Sequence, residues 1–346
     1  MMIGFEQIVG QDAAIGSLLG AYRADRLPHG LIFAGPVGVG KATTAAAFAV
    51  LFLCEAAKDD RACGVCQSCV AMSAGSAGSG GSHPDYHVIT KELARVYDKT
   101  GTSKATQLAI NVVRYELAAP AARKTVLGRG KVFVVEEAEL MTPAAQNAIL
   151  KTLEEPWGRT LIILLTTDAT ALLATVRSRC QTIPFAALEK DVVIQELRRR
   201  GIKAATASAA AELCDGSLGL ALRWIEDGVV ESAGELNQCV DAALAGESGG
   251  DLADLLRTLA DKQAQKTLER DDLASKDAAT RDALAMYLSL AARQLRLRLA
   301  VSAGADQMEK ICQAIDAVAR AQQYLDANVN VALVLEQIGL ALAASE

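Results

Sequence analysis

The run Gly35-Pro36-Val37-Gly38-Val39-Gly40-Lys41-Ala42-Thr43 spaces its glycines and its lysine as a phosphate-binding loop does. Glycines at these positions let consecutive backbone N–H groups turn inward, and the helix that follows offers its positive end to the same anion. Lys41 would reach the β and γ phosphates. The pattern then calls for Ser or Thr, whose hydroxyl ligates magnesium, and the chain has Ala42 there. Thr43 is one residue further on, and one helical step rotates a side chain by about 100°, away from the loop mouth. The candidate nucleotide contacts are thus Gly35, Gly38, Gly40, Lys41 and Thr43, for ATP whose magnesium lacks its expected ligand.

A second element of the same chemistry is Glu136-Glu137, at the end of the apolar run KVFVVEE. Phosphate-loop enzymes carry an acidic residue at such a strand end to hold the metal. The first member is ordinarily Asp, and Glu136 could still hold magnesium through a water. The pair reads equally well as the solvated end of a strand.

Cysteine provides a separate chemistry. Cys54 is followed after eight residues by Cys63-Gly-Val-Cys66-Gln-Ser-Cys69. Four thiolates within a short insertion suit a closed tetrahedral zinc site, which can order a segment too small for a core of its own. An iron–sulfur cluster fits less well, because the usual fourth Cys followed by Pro is missing. Cys180, Cys214, Cys239 and Cys312 lie scattered on apolar stretches and are expected in the core. His29, His83 and His87 read as structural residues, since the thiolate set is complete without them.

These residues need elements to position them. Leu31-Ile32-Phe33 leads into the loop, and residues 42–53 have the alanine-rich spacing of a helix after it. Further apolar runs at 86–90, 131–137 and 160–167, separated by helical patterns such as 142–154, predict a mostly parallel α/β sheet covered on both faces. The Gly/Ser stretch at 71–82 reads as a flexible tether, and KELARVYDKTGTSK (91–104) as a solvated loop. From about Leu188 onward only helical spacing appears, predicting a small three-helix lid and then a helical bundle.

Whole-chain properties narrow the class. At 346 residues the chain is long enough for two or three domains. A net charge of −6 argues against a surface built mainly for nonspecific nucleic-acid binding, which depends on basic groups displacing counterions. The sequence shows no secretory signal and no run of eighteen apolar residues, which predicts a cytoplasmic protein with reduced thiols.

Longer stretches carry a resemblance. FEQIVGQDAAIGSLLGAYRADRLPHGLIFAGPVGVGK, the cysteine set followed by SHPDYHVI, KVFVVEEAELMTPAAQNAILKTLEEP, LLTTDATALLATVRSRCQTIPF and DANVNVALVLEQIGLAL are together similar to the AAA+ subunits of the bacterial DNA polymerase III clamp loader. The resemblance implies a RecA-like AAA+ domain over 1–185 bearing the zinc module, a helical lid over 186–228 and an all-α collar over 229–346. It also implies partners: gamma/tau and delta subunits in a five-membered ring, with the sliding clamp and primer-template DNA met through the complex. The matching Ser-Arg-Cys motif makes Arg179 the expected arginine finger, acting on ATP held by a neighbour. Ala42, the Glu136-Glu137-Ala138-Glu139 run and Gly219 in GSLGLALRW each depart from the hydrolysing gamma/tau pattern. They imply the delta prime branch, with a loop retained as scaffold. A gamma/tau-type ATPase and an AAA+ adaptor outside replication are the alternatives.

Overall fold

Alternate residues of the apolar runs go to opposite sides of one sheet, and both sides are buried. Leu31 and Phe33, Val132 and Val134, and Leu161, Ile163 and Leu165 pack in one core with Phe48 and Leu51. Ile32, Phe133 and Val135, and Ile162 and Leu164 pack in a second with Leu108, Ile149 and Val176. That double burial is why the strands read as unbroken apolar runs.

A computed structural model describes residues 4–74, 82–97, 107–127, 129–244, 249–270, 275–327 and 329–343. Most of the Gly/Ser stretch and the end of the 91–104 segment lie outside them. The strands are β1 (Gly30–Ala34), β2 (Tyr86–Ile89), β3 (Lys131–Val135), β4 (Thr160–Thr166) and β5 (Gln181–Pro184). All pairings are parallel, in the order β2-β3-β4-β1-β5. Strand β5 was not expected from the sequence: of its four residues only Ile183 is buried, and it ends in Pro184, so it carries no apolar run.

Contacts divide the chain into two units. The first is Met1–Gly201 with Cys214–Leu220, and the second is Ile202–Leu213 with Ala221–Glu346. In the first, helices Asp12–Arg23 and Lys41–Leu53 cover one side of the sheet, and Pro143–Glu154 and Ala174–Arg177 the other. In the second, Gly249–Arg270 packs on Lys276–Val301 and on Val331–Ala343, and Ala305–Asp326 packs on the same two helices. Leu256, Leu284, Leu288, Ile311 and Val334 are buried there. No helix of the described residues is long and apolar enough to cross a membrane.

Asp85, just before β2, is a buried carboxylate that organises the opposite end of the sheet. It accepts the backbone N–H groups of Val126 and Leu127, both at 2.8 Å. Asp85→Ala leaves two donors without their charged acceptor and is expected to cost about 3 kcal/mol, since each such bond contributes about 1.5–3 kcal/mol. Chemical denaturation reads this as a lower midpoint at constant slope.

Candidate functional site

The phosphate-type loop sits at the carboxyl end of β1, pinned by Gly35 N–H donating to Thr166 O at 3.1 Å. Gly38 and Gly40 have φ of 73° and 104°, the left-handed region that favours glycine. Lys41 opens the following helix and is buried. Its Nζ donates to Gly35 O at 2.5 Å and Pro36 O at 2.6 Å, so the ammonium is bound by its own loop. Burial lowers its pKa, and the charge of Glu139 opposes that. Ala42 and Thr43 are exposed, while Thr44 turns inward and donates to Gly40 O at 2.8 Å.

The loop is also covered. Gly219 N–H donates to Gly38 O at 2.9 Å, and a Cβ on Gly219 would lie 2.8 Å from that same oxygen. As packed, position 219 has no room for a side chain. Gln11 ties the loop from another side: its buried amide donates to Val39 O at 3.1 Å and Ala186 O at 2.8 Å. Sequence reasoning missed Gln11; a glutamine immediately before a helix was the only local sign.

At the end of β3, Glu136 is half-buried, and burial raises its pKa, with Glu137 and Glu92 adding to the effect. Glu137 is exposed, adopts φ of 47° and pairs with Lys91 at 3.0 Å. The two side chains therefore have different surroundings. Gln146, also missed, is a buried polar residue on the apolar face of Pro143–Glu154. Its amide donates to Met141 O at 3.1 Å and its Oε1 accepts Leu173 N–H at 2.7 Å.

Arg179 lies between the helix Ala174–Arg177 and β5. Its Nε donates to Glu154 Oε1 at 2.7 Å, and Nη1 to Thr175 O at 3.0 Å and Ser178 Oγ at 3.3 Å. Cys180 next to it is packed against the core, and burial pushes its thiol up to about 12. Cys214 is buried and Cys239 half-buried, but Cys312 is exposed, contrary to the expectation that all four pack in the core. The helix around Cys312 buries Ile311 and Ala314 instead, turning 312 outward.

Cys54 caps the end of Lys41–Leu53, Cys66 caps the start of Gln67–Ser73, and Cys69 lies within that second helix. The four sulfurs of Cys54, Cys63, Cys66 and Cys69 all lie within 4.8 Å of one another. A tetrahedral zinc with bonds of about 2.3 Å would place them about 3.8 Å apart, close to this arrangement. Backbone N–H groups already point at the sulfurs: Cys63 N to Cys54 Sγ at 3.2 Å, Cys66 N to Cys63 Sγ at 3.3 Å and Cys69 N to Cys66 Sγ at 3.4 Å. The Val65 and Cys66 N–H groups hold the Cys63 thiol down to about 6, whereas burial pushes Cys54 and Cys69 up. These four thiols can hold a metal ion.

The histidines make local contacts within the fold. His83 Nδ1 accepts Asp85 N–H at 3.1 Å, which leaves Nε2–H to donate to Ser68 Oγ at 2.7 Å. His87 stacks on Phe133, and His29 Nδ1 faces Thr160 O at 3.2 Å.

Comparison with known proteins assigns the chain. A family model described as DNA polymerase III, delta subunit, matches residues 10–189. The delta' subunit of Escherichia coli K12 is 31% identical over 252 residues, covering 72% of this chain and 70% of that protein. The delta' subunit of Pseudomonas aeruginosa is 35% identical over 44% of this chain and 41% of its own length. The gamma/tau subunit of Mycoplasma pneumoniae is 32% identical over 62% of this chain, which spans only 29% of that longer protein. Among solved structures, a gamma subunit-related protein of Thermotoga maritima aligns over 94% of this chain and 98% of its own with TM-score 0.43 and 18% identity. With the family model covering more than half of its 346 residues and the Escherichia coli relative matched over most of both lengths, the chain belongs to the AAA+ subunit family of the bacterial DNA polymerase III clamp loader.

Proposed function

We propose that this chain is a delta prime subunit, a largely non-hydrolysing scaffold in the clamp loader that lends a residue to a neighbour that hydrolyses ATP. One observation carries the reading: the loop has Ala42 where a magnesium-ligating hydroxyl is needed, and Lys41 is held by the carbonyls of Gly35 and Pro36. Gly219 adds to it, because the space above Gly38 admits no arginine from that position.

The remaining parts of the proposal follow the family. Residues 1–185 form the AAA+ domain, with zinc held by Cys54, Cys63, Cys66 and Cys69. Residues 186–228 form the lid and 229–346 the collar that holds the ring. Gamma/tau and delta subunits are the ring partners, and the sliding clamp and primer-template DNA are what the ring acts on. Gly35, Gly38, Gly40, Lys41, Thr43, Glu136 and Glu137 line a nucleotide site that has lost its hydrolytic role, and Arg179 is the residue lent across the boundary.

Reconstitution with gamma/tau and delta tests this directly. The isolated chain is expected to show little or no steady-state ATP turnover, and Lys41→Ala to leave clamp loading by the assembled ring within about twofold of normal, because a lysine removed from a hydrolytic site would instead cost orders of magnitude. Robust turnover by the isolated chain would indicate a gamma/tau-type ATPase. Failure to assemble with the other subunits would indicate an adaptor outside replication.

A further inference from the structure

Glu139 lies in the single turn Ala138–Leu140 that follows β3. Its carboxylate crosses to the end of the neighbouring strand β4, where Oε1 accepts Thr167 N–H at 3.2 Å and Thr167 Oγ1–H at 2.6 Å. The second oxygen, Oε2, is buried and has no hydrogen-bond partner among the described residues. Burial alone would raise this carboxyl, but the Thr167 hydroxyl, the backbone N–H groups of Glu139 and Thr167 and the Thr166 hydroxyl outweigh it and hold Glu139 below its ordinary pKa. At neutral pH it is an anion.

Sheet order sets which elements lie beside this anion. Strand β4 lies between β3 and β1, Thr166 is in register with Ala34, and Gly35 N–H donates to Thr166 O. Glu139, Thr167 and the Gly35–Lys41 loop therefore meet at the carboxyl ends of three adjacent strands, where open α/β sheets take their ligands. The charge of Glu139 acts on Lys41, opposing the effect of burial on its ammonium.

We propose that Glu139 is an internal anion standing at the terminal-phosphate end of the loop, so that this site selects against nucleoside triphosphates relative to diphosphates. The inference rests on the reading of the loop as a degenerate nucleotide site. A loop lysine ordinarily neutralises the β and γ phosphates. Here a γ-phosphate would meet a fixed carboxylate that already takes the Thr167 donors and biases Lys41. Bringing like charges together in this way costs on the order of 100-fold in affinity. A diphosphate ends one phosphate short of the conflict.

Calorimetric titration of the full chain with ADP and with a nonhydrolysable ATP analogue, both with magnesium, tests this. Glu139→Gln keeps the shape and removes the charge; Glu139→Ala removes both, and circular dichroism melting checks that each variant is folded. Either variant is expected to bind the ATP analogue at least about 10-fold more tightly than the parent, with ADP changed less than about twofold, and Lys41→Ala added to Glu139→Gln should abolish the gain. Equal gains for the two nucleotides, no gain, or no binding by any variant would each overturn it. Turnover of ATP by the parent chain would instead overturn the scaffold reading alone, because the Glu139 comparison is one of relative affinities.

Discussion

Arg179→Ala is expected to slow ATP hydrolysis at one adjacent gamma/tau site by about 10³-fold or more, with ring assembly and metal content unchanged. A guanidinium stays charged at any accessible pH and can bond two phosphate oxygens as negative charge develops on them. In the chain alone it is held by Glu154, Thr175 and Ser178. The Arg179–Glu154 pair is partly exposed, with side-chain exposures of 37% and 47%, and such pairs contribute at most about 1 kcal/mol. Exchanging Glu154 for a neighbour's phosphate therefore costs little. Arg179→Lys should rescue poorly, because a point charge lacks the planar fork, and Glu154→Gln should change the rate by less than about 10-fold. Several ATP sites in one ring would mask the loss, so the measurement is single-turnover hydrolysis in a loader whose other fingers are disabled. An unchanged rate there would remove Arg179 from the mechanism.

Arg179 is singled out as a candidate only by the Ser-Arg-Cys motif; nothing in its periodicity distinguishes it from Arg177. The strands β1, β3 and β4 were legible for a physical reason, since burial on both faces leaves an apolar residue at nearly every position. Strand β5 was hidden because its exposed positions are polar or proline. The four cysteines were visible as a candidate metal site because all lie within one short segment. Glu139 and Gln11 were not, because their chemistry depends on partners far along the chain: Glu139 meets Thr167 across 28 positions, and Gln11 meets Ala186 across 175. Before the sheet is assembled, Glu139 is only a third glutamate after Glu136 and Glu137. Local pattern identifies groups that act with their sequence neighbours and is silent on groups that act across the fold.

Protein purified without added metal is expected to carry one zinc ion per chain, and Cys66→Ser to release it. The four thiols converge as zinc requires, and three backbone N–H groups already point at Cys54, Cys63 and Cys66. Without a cation, burial disfavours thiolates at Cys54 and Cys69; a dication reverses that balance and fixes them as ligands. Structural zinc of this type contributes an apparent 10–16 kcal/mol to its segment. The segment has little else: its own core is Val50, Cys54 and Cys69 with a few half-buried neighbours including Met72. Metal loss should therefore unfold residues 54–73 locally. The two sheet cores are built from other residues, apart from contacts with Ala57 and Met72, so the main melting transition should shift little. Hydrogen exchange separates the two effects, with protection lost over 54–73 and retained in β1, β3 and β4. The Ser68–His83 bond gives the boundary, since His83 should lose its partner on Ser68 while keeping its bond from Asp85 N–H. Iron with visible absorbance in the purified protein, or full metal content in Cys66→Ser, would refute the assignment.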